Sequence, residues 1–400
     1  MNYKNIVKLF SVIIFLITLS LYSDSFSQSN LDRTLDEISK NNKSLIANNQ
    51  YLQSKKLESR VGNSLYNPFV EITNLFGAAN NQGDQTEIKV IQSFDFPTSY
   101  GKRNKVADLK IGQTSYEQDI LRQDILLDAK LTCIELIFLN KKKMLLISRT
   151  ESMKSLLDLF QIKMDKGEGN ILDVNKAKIN LLNSSSELRV LENEISDLNQ
   201  RLIELNGGNK IFFSDTLYPV IPLIPVFEDL ERTIENADPH RKFINQEKQI
   251  YQSQVELSKA LSLPKIELGY YYLGLTNQNF NGIHLGFSLP LWENNYRSDF
   301  YRSKSRSSDL ELESHDNEIY YETKKKYDRF EVLKNVLSEY QLTLASINSE
   351  ELLLNALNFG EISILDYFIE LSFYYTSVDK YLEMDMEYNK VVAELFKYRL

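Results

Sequence analysis

Few residues of this chain have the type and spacing that catalysis or metal binding requires. Each of its three histidines, His240, His284 and His315, lacks a second His or Cys at ligand spacing. Serine is abundant, yet the histidines stand too isolated to suggest a Ser–His–Asp triad. No glycine-rich phosphate loop occurs. Cys133 is the sole cysteine, which excludes a disulfide framework within one chain. The lysine runs 141–143 and 324–326 read as solvated helix faces rather than anion sites. The expectation is a protein that is not an enzyme, with no cofactor and no metal ligands.

What does recur is a short acidic punctuation. GEGNILDV (167–174) and GEISILDY (360–367) both read Gly-Glu-x-x-Ile-Leu-Asp, and they start 193 residues apart. A glycine that ends one helix, followed by Ile-Leu-Asp beginning the next, makes each octapeptide a helical turn. Asp173 and Asp366 then lie in the first turn of a returning helix, where an acid suits the positive end of the dipole.

The helix breakers say which elements carry these turns. No proline lies between 98 and 218 or after 290. Between 113 and 206 the only glycines are Gly167 and Gly169, and after Gly286 the only one is Gly360. Two long helical hairpins follow, with outgoing helices at 102–166 and 298–359 and returning helices at 173–205 and 366–398. Each outgoing helix should run roughly 90–100 Å at 1.5 Å per residue. Leu181, Leu188, Leu191, Ile195, Leu198, Leu202 and Leu205 form a heptad ladder. Leu333, Val336, Tyr340, Ile347, Leu354 and Leu357 follow a similar one, and such a repeat specifies coiled-coil packing. Residues 31–66 and 239–262 read as further helices that cover the rest of each long one.

Two strand pairs precede the long helices, at 68–77 with 87–97 and at 264–274 with 282–292. Each segment is about ten residues, the length of a tilted strand crossing a bilayer. In the last, Ile283, Leu285, Phe287, Leu289 and Leu291 face one way while His284, Gly286 and Ser288 face the other. Ile88, Val90, Phe94 and Phe96 oppose Lys89, Ser93 and Asp95, and Ile266, Leu268, Tyr270 and Tyr272 oppose Lys265, Glu267 and Gly269. Apolar-out and polar-in is the pattern of a water-filled barrel, which makes Lys89, Asp95, Lys265 and Glu267 lumen candidates. Tyr66, Phe69, Phe76, Tyr270, Tyr272, Trp292 and Tyr296 near the strand ends suit an aromatic girdle. Four strands leave two open edges in hydrocarbon, so several copies must combine, and three would give 12 strands. Two soluble hairpins packed on a core are the alternative.

The start of the chain reads as a secretory leader. Lys4 and Lys8 precede an apolar run at 9–19, and Ser25 and Ser27 stand before a cut ahead of Gln28. No later stretch approaches the ~18–20 apolar residues of a membrane helix. The formal net charge of −9 argues against nucleic acid as a partner. The organisation expected is a signal peptide at 1–27, a first repeat at 28–208, a linker at 209–236 and a second repeat at 237–400.

In this layout the chain resembles the TolC-like outer-membrane efflux family. The carrying features are Pro68 and Pro264 opening strands, QSFDFPTSYGKR (92–103) turning strand into helix, and the two tips, recurring in order at offsets of 193 to 196. The resemblance implies a mainly α fold with β, built from long antiparallel coiled-coil hairpins and four transmembrane strands per chain. It implies a homotrimer with a 12-stranded barrel in the outer membrane of a Gram-negative bacterium, above a periplasmic α-helical tunnel. It also implies a passive exit duct that meets a periplasmic adaptor and an inner-membrane transporter, of the RND type and for heavy-metal ions or drugs. The exit duct of a type I secretion system and an envelope-bridging coiled-coil scaffold are the alternatives. Asp173 and Asp366 match the family's periplasmic gate, although Ile362 and Ile369 stand where it places further charged residues. Gly167, Glu168, Gly169, Leu172, Gly360, Glu361 and Leu365 match the rim that docks the adaptor. Length and the QSFDFP segment resemble the heavy-metal branch, without implying metal ligands in this chain.

Overall fold

The computed structural model describes residues 30–77, 83–346 and 349–400, so the expected leader at 1–27 lies outside the described residues. Within that range the chain forms α1 (Asn30–Asn41), α2 (Lys43–Glu58), β1 (Phe69–Leu75), β2 (Gln85–Phe94), α3 (Pro97–Asp165) and α4 (Ile171–Leu205). It continues with α5 (Phe227–Ala237), α6 (Pro239–Leu261), β3 (Lys265–Leu275), β4 (Gln278–Ser288), α7 (Arg297–Ala345), α8 (Ser349–Asn358) and α9 (Ile364–Leu395). A 3₁₀ turn at Lys397–Arg399 follows.

Two compact units divide this chain. The first comprises residues 30–40 and Thr132–Ile221. Its core is the expected coiled-coil seam: Leu139, Leu146 and Leu191 are buried together, with Phe138, Leu188, Ile195 and Leu198 packed against them. Leu202 and Leu205 continue the seam fully into the interior. Knobs repeating every 3.5 residues keep facing the partner helix, which is why the ladder could be read from α4 alone. α1 buries Leu31, Leu35 and Ile38 on one face.

The second unit comprises Asn41–Leu131 and Pro222–Leu400 and holds all four strands. α7 packs against α5, α6 and α9 there. Its seam runs through Phe330 and Leu337, with Leu333, Val336 and Tyr340 half-buried beside them. Leu354 departs from the expected ladder: it is exposed, whereas Leu357 is buried. Ile347, the rung between Tyr340 and Leu354, lies outside the described residues.

Several boundaries differ from the sequence reading, and the outgoing helix expected over 298–359 is divided between α7, which ends at Ala345, and α8. The helix expected over 31–66 is two helices separated at Asn42, whose side chain accepts from the Leu45 amide and starts α2 afresh. α2 stops at Glu58, and Gly62 with φ 79° lies in the irregular stretch beyond. α3 begins at Pro97 rather than at 102, because proline at the first helical position costs no hydrogen bond. β4 begins at Gln278 rather than at 282, leaving Leu289 and Leu291 past its end. Only Thr276 and Asn277 separate β3 from β4, so the polar residues 278–281, read as loop, are paired strand.

Candidate functional site

The strands form one antiparallel sheet in the order β1-β2-β3-β4, which leaves β1 and β4 as edges. The register aligns side chains across it: Val70, Val90, Tyr270 and Ile283 form one row, and Gln92, Leu268 and Leu285 another. Phe94, Ile266 and Phe287 make a third. Successive residues alternate faces, so these rows build a single apolar surface. That surface is bare in this chain: Ile283 is 84%, Leu285 65% and Phe287 69% exposed. Gln92 interrupts it, its amide donating to the Tyr66 carbonyl instead.

The opposite face is polar and internally paired. Lys89 Nζ lies 2.6 Å from Glu87 and 3.8 Å from Glu71, with the Tyr271 ring 5.5 Å away. Ser93 donates to Glu267 at 3.2 Å, and the other Glu267 oxygen lies 3.8 Å from His284. Lys265 at the strand start reaches Glu293 at 3.3 Å. Three of the four expected lumen residues, Lys89, Lys265 and Glu267, therefore share this face. Sequence reading left Glu71 and Glu87 unassigned here, although counting in twos from Lys89 along β2 reaches Glu87.

Asp95 is placed elsewhere. It lies just past β2, only 2% exposed, and accepts from Arg103 Nη2 at 2.6 Å. The Asp95 amide donates to the Tyr100 hydroxyl at 3.0 Å. This expected lumen residue is instead the anchor of the strand-to-helix turn, because the strand ends at Phe94 and the chain swings into α3.

The two helical turns have the same hydrogen bonding. Gly167 N donates to the Met164 carbonyl and Glu168 N to that of Lys163, both at 2.9 Å. Gly360 N donates to Leu357 at 3.2 Å and Glu361 N to Ala356 at 2.9 Å. Each is a Schellman ending with glycine left-handed, at φ 77° and 73°. Gly169 is required for a different reason: a Cβ there would stand 2.7 Å from the Met164 amide nitrogen. Glu168, Leu172, Glu361 and Leu365 are all exposed at these turns.

The returning helices start with different caps. Asn170 caps α4, its side chain accepting from the Leu172 amide at 3.0 Å, and Asp173 lies 3.7 Å from Lys176. Ser363 caps α9 in a reciprocal box, its hydroxyl accepting from the Asp366 amide while Asp366 Oδ2 accepts from the Ser363 amide and hydroxyl. Asp366 thus has a capping role that is independent of any gate. Behind it Tyr367 is buried beside Glu350, and burial followed by that carboxylate pushes its hydroxyl pKa up.

The lysine runs are engaged as helix-face residues. Lys142 pairs with Glu187 at 3.0 Å, Lys143 with Glu192 at 2.8 Å and Lys324 with Asp328 at 2.8 Å. One cluster had no signal in the sequence. His240 and His315, 75 residues apart, meet with Nδ1 atoms 3.3 Å apart, and His315 Nε2 lies 2.5 Å from Asp238 Oδ2. Among the described residues no helix is long and apolar enough to cross a membrane, and no group of three or more His, Cys, Asp or Glu is placed to hold a metal.

No family model matches the chain, and no curated protein matches it. Solved structures do match over nearly its whole length. CusC, whose crystal structures concern folding and transmembrane channel formation, aligns with a TM-score of 0.77 at 13% identity, covering 93% of this chain and 92% of that one. The CmeC outer membrane channel of Campylobacter jejuni aligns at 0.70 and 14% identity, covering 92% and 85%. The outer membrane protein VceC of Vibrio cholerae aligns at 0.73 and 13% identity, covering 92% and 95%. At such identities the likeness is one of fold.

Proposed function

The chain has the fold of the TolC-like outer-membrane channels, and we propose that it works as the outer-membrane exit duct of a tripartite efflux system. It is a passive conduit without catalytic chemistry, in the outer membrane of a Gram-negative bacterium. The observation that carries this reading is the sheet. Its strands of 7 to 11 residues present a bare apolar face and a paired polar face, with both outer strands left open. In hydrocarbon each unpaired backbone group costs several kcal/mol, so the edges demand partners. Three copies close a ring of 12 strands around the polar face, with cyclic symmetry pairing β4 of one to β1 of the next.

Lys89, Lys265 and Glu267, joined by Glu71, Glu87 and His284, line the wet lumen in this reading. The turns at Gly167 and Gly360, with Glu168, Gly169, Leu172, Glu361 and Leu365, dock a periplasmic adaptor. Asp173 and Asp366 narrow the periplasmic entrance, and Ile362 and Ile369 leave that ring without further charge. Free energy for transport comes from an inner-membrane pump, which we assign to the RND type exporting heavy-metal ions or drugs.

The test is assembly and conduction. The purified protein should require detergent, give the mass of three chains by light scattering, and open ion-conducting channels in planar bilayers. A monomer that stays soluble without detergent and conducts nothing would overturn the proposal.

A further inference from the structure

We infer that His240 and His315 form a two-histidine site for a divalent transition-metal ion of the copper, nickel or zinc class. The inference is independent of the exit-duct reading and rests on the cluster at the start of α6.

Asp238 is the N-cap of α6 and is held by the helix itself. Its carboxylate accepts from the His240 amide at 2.9 Å and the Arg241 amide at 3.3 Å. The same carboxylate meets His315 Nε2, from the middle of α7, at 2.5 Å. An anionic acceptor there keeps the His315 proton on Nε2, so that the Nδ1 lone pair is the one turned to His240. This is the support that metal-bound imidazoles receive from a neighbouring carboxylate. His315 is almost fully enclosed, whereas His240 is exposed, so the pair has a fixed inner ligand and an outer one open to solvent.

The spacing fits a metal. Two ligands at roughly 2.0–2.1 Å from one ion and at a tetrahedral angle stand about 3.3 Å apart. The observed Nδ1–Nδ1 separation is 3.3 Å, with the rings nearly perpendicular at 84°. Without metal, His240 Nδ1–H donates to His315 Nδ1. When an ion enters, the His240 proton moves from Nδ1 to Nε2, both Nδ1 lone pairs face the ion, and no proton is gained or lost. Imidazole pairs suit copper, nickel and zinc.

The surrounding charge favours a cation. Asp238 contacts His315 directly, and the guanidinium of Arg241, the residue after His240, is neutralised at 2.8 Å by both Glu235 and Asp316. Since no third His, Cys, Asp or Glu among the described residues completes the set, water fills the other positions. The site is therefore exchangeable, and an ion in it ties the first turn of α6 to α7.

The experiment uses the full chain purified in detergent without a histidine tag, titrated with Cu²⁺ and Zn²⁺. One ion should bind per chain, with the electron paramagnetic resonance spectrum of Cu²⁺ showing two coordinated nitrogens. His240→Ala, an exposed substitution, should lose at least tenfold in affinity and one nitrogen while melting like the parent in metal-free buffer. His315→Ala should lose the site. Asp238→Asn should weaken binding about 10–100-fold, since Asn retains the helix cap but not the anionic acceptor. His284→Ala should change nothing. Absence of saturable binding at 100 μM ion, or binding that survives His240→Ala and His315→Ala, would overturn the inference.

Discussion

Arg103 Nη2 stands 2.6 Å from Asp95 Oδ2, joining the end of β2 to the second turn of α3 through a carboxylate that is almost wholly buried. Removing the arginine strands that charge, and breaking a buried pair costs roughly 3 kcal/mol or more. Arg103→Ala should therefore lower the melting temperature measurably in detergent. The double change Asp95→Asn with Arg103→Ala should recover much of the loss, because no buried charge is left unpaired. Equal melting of Arg103→Ala and the parent would show that the turn does not depend on this pair.

Substitutions at the helical turns separate stability from the proposed docking role. Gly360→Val forces a β-branched residue to φ 73°, a strain on the order of 1–3 kcal/mol, with open space around the new side chain. We expect efflux in cells to fail while the trimer still assembles, read by drug or metal tolerance beside membrane fractionation. Asp366→Ala removes half of the capping box and should cost about 1 kcal/mol. If Asp366 also narrows the entrance, the same variant raises single-channel conductance. Unchanged conductance leaves it a cap alone.

The bare face of β4 offers a direct test of its solvent. Leu285→Arg places a charge in the middle of that face, at a cost of roughly 2–4 kcal/mol if it meets the bilayer midplane. Membrane insertion should drop sharply, whereas His284→Ser on the polar face should insert normally. Normal insertion of Leu285→Arg would mean that this face does not meet lipid.

Cys133 is enclosed in α3, and burial, followed by the charge of Asp215, pushes its thiol up to about 12 from 9.0. The folded state favours the protonated thiol. Its stabilising contribution is thus fully present below about pH 9 and is lost as pH rises towards 12. At pH 8 the folded protein should react with a disulfide reagent at least about 100-fold more slowly than the denatured chain, since only thiolate reacts. Comparable rates would place Cys133 near solvent.

The amino-acid order alone determined the periodic parts of this protein. Gly167 and Gly360 could be located because a left-handed helix ending tolerates glycine and resists other residues, so the turn is local physics. The α4 ladder from Leu188 to Leu205 and the two-residue alternation of β3 were legible for the same reason: a helix or strand writes its own repeat into the chain. Tertiary structure decided what depends on distant partners. The polar residues at 278–281 became strand only because β3 offers its backbone to pair with. Asp95 left the polar face of the sheet because Arg103 and Tyr100 fold back over it. His240 and His315 meet only because α6 packs on α7, and nothing in either neighbourhood records a contact made 75 residues away.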